Sequence, residues 1–248
     1  MPFSPEVQQL IEQVEQTSGL PVHVAEEPSM SMRATVVAAR GGAPAHLIRF
    51  KPGILNPDYL VASQLLFLLR RLTLPPAERW DLAGTPSEQD VAIKVLGLDV
   101  FPVDFARKMV GQVSNQMRSF PVGFRVDATI RDDFPGLAQQ QHDEILTQLA
   151  EMEKALAPEF RGKFPRGIVD ANTTMNAAFA IHWAGVHDEP RYAIPFEALG
   201  YRDRAEELLS ALEVVDDAPS SDQDLVICWA STLGLTGSFH FHTEPRND

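Results

Sequence analysis

Seven histidines are spread over the 248 residues, and two groupings have the types and spacing of metal ligands. His240 and His242 form a His-x-His pair in Phe239-His-Phe-His242, which puts both imidazoles on one face if the segment is a strand. His182 and His187 flank Trp183-Ala-Gly-Val186 and precede Asp188-Glu189. The four imidazoles, with an acid such as Asp188, are the ligand types a zinc or iron hydrolase would use to activate water. An alternating Phe/His strand at a sheet edge accounts for His240 and His242 equally well without a metal.

Other chemistry-bearing residues read more plainly. His142-Asp143-Glu144 is not a His-Glu-x-x-His motif, since Leu146 stands where the second histidine would fall, and a solvated first helical turn is expected there. Cys228 has no second cysteine to pair with and sits in the apolar run Leu225-Val-Ile-Cys-Trp-Ala230, which predicts a buried, inert thiol. Ser63 lacks a Gly-x-Ser-x-Gly elbow, and Gly41-Gly42 does not form a phosphate loop. Trp80, Trp183 and Trp229 read as core or rim residues.

The elements that must position these groups follow from pattern. Ser4-Pro5 starts a helix with Val7, Leu10, Ile11 and Val14 at helical spacing, stopped by Thr17-Ser18-Gly19. Pro21–Ala25, Met32–Ala39 and Ala45–Phe50 read as three strands in a meander, the second and third forming a hairpin. Asn56-Pro57-Asp58 caps a helix running to about Leu72, apolar on nearly every side and hence buried on most faces. Thr85-Pro86-Ser87-Glu88 has capping-box spacing. Further helices are expected around 103–118, 136–156, 203–213 and 222–233, with Asp132-Asp133-Phe134-Pro135-Gly136 as a break.

Composition bounds the reading. Apolar residues at 44% and charged residues at 22% describe a globular chain, and a formal charge of -13 disfavours a phosphate-backbone partner. The start of the chain has neither a basic stretch nor an apolar signal core, and the longest apolar run, Tyr59–Leu69, is too short to span a bilayer. A cytoplasmic protein with no membrane and no nucleic-acid partner is expected.

The order of strand, Asn-Pro, buried helix, Arg70-Arg71 and capped acidic helix resembles the zincin metallopeptidases. More narrowly, it resembles the minimal gluzincin-like domains of bacterial regulatory proteins of the ImmA/IrrE type, best over residues 20–100. In that family the helix carries His-Glu-x-x-His, with two histidines on zinc and the glutamate as general base. The resemblance puts Ser63 at the first histidine, Gln64 at the glutamate and Phe67 at the second histidine, with Glu88 as the third-ligand acid and Asp90 as its rival. A hydroxyl, an amide and a benzene ring cannot perform that reaction. Glu88 also has a reading as the acid of its own helix's capping box.

The expected class is therefore α+β. A small antiparallel or mixed N-terminal sheet packs on a buried zincin-like helix within 1–119, and a mainly helical region, 120–248, packs against it as one globular unit. The resemblance implies a non-catalytic pseudo-metallopeptidase that needs no metal or other cofactor and acts through a protein or peptide partner. The alternatives are a metal-dependent hydrolase using His182, His187, His240 and His242, and a structural subunit of an oligomer.

Overall fold

The computed structural model describes residues 3–30, 32–55 and 57–243. The expectations attached to Met1-Pro2 and to Asn56 as a helix cap lie outside them. Along the chain run α1 (Pro5–Ser18), β1 (Val22–Glu26), β2 (Ala34–Val37), β3 (His46–Phe50) and α2 (Pro57–Leu72). They are followed by β4 (Trp80–Ala83), α3 (Pro86–Val95), α4 (Val103–Asp133), α5 (Ala138–Lys154) and α6 (Pro158–Arg161). The last elements are α7 (Arg166–Val186), α8 (Ile194–Glu197), α9 (Arg202–Val214), α10 (Asp222–Thr232) and β5 (His240–Thr243). The class is α+β, with a small mixed N-terminal sheet and a mainly helical later part. Among the described residues no helix is long and apolar enough to cross a membrane.

Two compact units emerge, and they interleave in sequence. Residues 3–30, 32–55 and 57–79 group with 123–145, while 80–122 group with 146–243. The division expected between 119 and 120 stands beside three among the described residues: between Arg79 and Trp80, between Val122 and Gly123 inside α4, and between Ile145 and Leu146 inside α5.

In the first unit, Ser4 caps α1 by accepting the Val7 N–H, and Gly19 ends it at φ 70°, a left-handed conformation that costs glycine little. The Ser4 N–H donates to Asp58 Oδ2 at 2.8 Å, which ties the start of α1 to the start of α2. Helix α2 is buried on nearly all sides, through Tyr59, Leu60, Val61, Ala62, Leu65, Leu66, Leu68, Leu69 and Leu72. Each such leucine contributes on the order of 1.5–3 kcal/mol by leaving water. Its neighbours include Val7, Leu10 and Val14 of α1, Ile48 and Phe50 of β3, and Val126 and Ile130 near the end of α4.

The sheet order is β1-β3-β2, with β1 parallel and β2 antiparallel to β3. The β2–β3 hairpin is present, but the expected meander is not. The last strand, rather than the middle one, takes the centre. Its buried residues His46, Ile48 and Phe50 alternate with half-buried Leu47 and Arg49, so it is the strand with the most to gain from neighbours on both edges.

The second unit is built around α7, α9 and α10. Trp183 and Trp229 are fully buried, and Trp229 Nε1 donates to the Leu208 carbonyl at 2.9 Å. Gln116, Asn172 and Asn176 close a ring of three amide hydrogen bonds, 2.8–3.1 Å long, between α4 and α7. Strands β4 and β5 pair antiparallel, with Trp80 edge-on to Phe241.

Candidate functional site

Ser63, Gln64 and Phe67 lie on α2 within the first unit, all three half-buried. Phe67 packs against the apolar core, its Cζ 3.7 Å from where a Cβ on Gly123 would stand. The i and i+4 positions to which the resemblance assigns two imidazoles present a hydroxyl and a packed ring.

Glu88 belongs to the second unit. The capping box forms as its sequence implies: the Thr85 N–H donates to Glu88 Oε2 at 2.7 Å, and Thr85 Oγ1 accepts the Glu88 N–H at 3.3 Å. The same Oε2 lies 2.8 Å from His240 Nδ1. These contacts hold the Glu88 carboxyl below the usual range, the Thr85 backbone bond first and His240 next. Asp90, two residues on, is exposed.

His240 and His242 do lie on a strand, β5, opposite Ala83 and Asp81 of β4. His182 and His187 lie at the end of α7, their rings against Trp183 at 5.4 and 5.0 Å, and His187 also meets Tyr192. Asp188 follows at φ 52°. No three His, Cys, Asp or Glu side chains among the described residues form a group that could hold a metal ion.

Two expectations are corrected. Cys228 is exposed, because α10 turns Leu225, Val226, Trp229 and Ala230 inward and leaves Ile227 and Cys228 on the outer face. Glu144 is not in a solvated first turn. It lies in the second turn of α5, 1% exposed, held by two nitrogens of Arg33 from just before β2, with Arg33 Nη2 at 2.6 Å.

Glu144 is part of a buried polar cluster that sequence reading missed. Tyr59 Oη donates to Asp127 Oδ1 at 2.7 Å. Gln141 Nε2 donates to the Asp127 carbonyl at 2.9 Å and reaches Oδ1 at 3.3 Å. Burial pushes the Asp127 carboxyl up to about 6, although the bonds from Tyr59 and Gln141 and the charge of Arg131 act the other way. The Tyr59 phenol is pushed well above its usual range by the same burial, and further by Asp127 and Glu144. The cluster joins α2, α4 and α5 from within the core. Its signal was available only as an acid among apolar neighbours, Val126-Asp-Ala-Thr-Ile130. With α4 read as ending at 118, no helical face could be drawn through it.

A second buried titratable group is His46, 1% exposed at the start of β3. Its Nδ1 accepts the Ala39 N–H at 3.0 Å, which requires the neutral ring with its proton on Nε2. Burial, and then the nearby Arg79 charge, lowers its pKa.

Comparison of the chain with protein-family models, with curated proteins and with solved structures finds no match.

Proposed function

We propose that the chain is a non-catalytic protein on a zincin-like scaffold, acting through a protein or peptide partner. The observation that carries this reading is the state of Phe67. Where the resemblance expects a zinc-binding imidazole, an aromatic ring packs on the apolar core beside Gly123. A helix stabilised in this way gains its free energy from burial and needs no ion. Gln64, one turn before Leu68, offers an amide with no proton-accepting capacity at neutral pH. Glu88, the acid assigned to the third ligand, is engaged by Thr85 and His240.

Metal analysis of the purified chain, together with its unfolding midpoint in excess chelator, tests this reading. The expected result is a midpoint unchanged by chelator and no stoichiometric transition metal. Stoichiometric zinc that is lost when Ser63 and Gln64 are both replaced by Ala, or peptide cleavage abolished by that change, would overturn it.

A further inference from the structure

One end of the second unit is apolar and basic. The chain between α3 and α4 meets the chain between α6 and α7 there: Gly97 lies against Pro165, and the Phe101 ring stands 5.2 Å from Phe105 and 6.4 Å from Phe164. Around this base Val100 is 75% exposed, Val103 53% and Phe160 49%. Bare apolar groups gathered in one place mark an interaction surface, where scattered ones do not. Residues 94–108 and 158–170 carry six cations and four acids, a net of +2 in a chain of net charge -13. Two of these cations are engaged, Arg166 by Asp170 and Arg161 by the Tyr201 hydroxyl. Lys94, Arg107, Lys108 and Lys163 form no ion pair among the described residues.

A second surface of the same unit is apolar and acidic. Residues 202–228, which span α9 and most of α10, carry eight acids and two cations, a net of -6. Both cations are engaged, Arg202 by Glu197 and Glu206 and Arg204 by the Thr232 carbonyl. Glu207, Glu213 and Asp224 are exposed and form no ion pair among the described residues. Val214, at the end of α9, is 85% exposed, and Ile227 is 47% exposed one turn beyond Asp224.

The packing keeps the two surfaces apart. Tyr201, just before α9, donates to Asp170 Oδ1 at 2.7 Å, so α9 begins beside the basic end. Its 13 residues, at about 1.5 Å each, carry Val214 about 20 Å from that point. Helix α10 runs back alongside α9, with Trp229 bonded to Leu208 and Thr232 to Arg204, which leaves its first turns near the end of α9. Neither surface can therefore cover the other within one chain.

We propose that the second unit associates head to tail with further copies of the chain, the surface around Val100 and Phe160 of one copy seating against the surface around Val214 and Ile227 of the next. Burial of the apolar groups supplies the attraction, and the opposite charges of the two surfaces set the orientation. Two basic or two acidic surfaces repel, which disfavours a two-fold dimer through either one. Because the surfaces differ, each added copy leaves one of each kind open until a ring closes. The assignment is independent of the reading of α2.

Sedimentation velocity of the full chain over about a hundredfold range of concentration, at about 0.05 M and about 0.5 M salt, tests it. At low salt the mass should grow beyond that of a dimer, and the association should weaken roughly tenfold or more at high salt. The double variants Lys108→Glu with Lys163→Glu and Glu213→Lys with Asp224→Lys should each be monomeric with unchanged circular dichroism. Mixed in equal amounts they should associate again, which mere damage to the fold would not permit. A wild-type chain that is monomeric throughout, a dimer indifferent to salt, or a mixture that stays monomeric would each overturn the proposal. So would a monomer that binds phosphatidylserine vesicles and loses them in the Lys108→Glu, Lys163→Glu variant, since the basic surface would then serve a lipid.

Discussion

Tyr59 in the first turn of α2 donates its phenolic hydrogen to Asp127 of α4 across 2.7 Å, and both groups lie inside the apolar core. Removing a carboxylate from water costs more than these hydrogen bonds and the charge of Arg131 return, which is why the carboxyl holds its proton up to about 6.

A pH dependence follows with a definite sign. Asp127 has a raised folded pKa, so between about 4 and about 6 the folded state binds more protons than the unfolded one. Its contribution is fully present below about 4 and lost as pH rises through 6, an effect on the order of 3 kcal/mol. Asp127→Asn should remove this slope. Urea midpoints at pH 4.5 and pH 7 for both proteins check it, and equal slopes would refute the assignment.

His46 acts in the opposite direction. Its folded pKa is lowered, so its contribution is complete above the ordinary imidazole value, about 6.5, and is lost as pH falls below it. Protonation would also take away the acceptor for the Ala39 N–H. The stability difference between wild type and His46→Asn should therefore shrink on acidification from pH 7.5 to pH 5.5. A constant difference across that range would count against a neutral buried ring.

Arg33 and Glu144 should be unequal as mutation sites. Arg33→Met leaves the Glu144 carboxylate, 1% exposed, without its guanidinium partner, whereas the matching change Glu144→Gln removes the buried charge itself. Breaking one side of a buried pair costs roughly 3–5 kcal/mol, and the partial exposure of Arg33 argues for the lower end. Chemical denaturation should find Arg33→Met the more damaging of the two. The reverse order would sink this account.

Gly167 tests the packing of the second unit. A Cβ there would stand 2.6 Å from the Val95 carbonyl oxygen and 2.8 Å from the Leu96 carbonyl carbon, both backbone atoms that cannot swing aside. The neighbouring Ile168 N–H donates to the Leu96 carbonyl at 3.0 Å, so the start of α7 is held close to the end of α3. Gly167→Ala should cost about 1–3 kcal/mol. A thermal midpoint equal to that of the wild type would contradict the close approach.

Local chemistry carried much of the secondary structure into view. Ser4-Pro5, Gly19 and the Thr85–Glu88 box mark helix ends by hydrogen bonds and dihedral preferences that act within a few residues. The apolar girdle of α2 implied burial whatever its neighbours. Helix α7 was not foreseen at all. It is apolar around most of its circumference, with Thr173, Thr174 and Asn176 buried as well, so it lacks the one-sided period that reveals a surface helix. Pro121 hid the continuation of α4 in the same way, since proline usually ends a helix and here is carried inside one.

What the residues determined unaided was chemical identity: α2 carries a hydroxyl, an amide and a ring at Ser63, Gln64 and Phe67. Tertiary structure decided the environment of each group. It sent Glu144 and Asp127 inside and Cys228 outside, and put β3 rather than β2 at the centre of its sheet. The physical reason is that caps and periodicity act over one or two turns. Burial and strand order are set by distant partners, 111 residues apart for Arg33 and Glu144 and 152 for Glu88 and His240, and no local pattern encodes them.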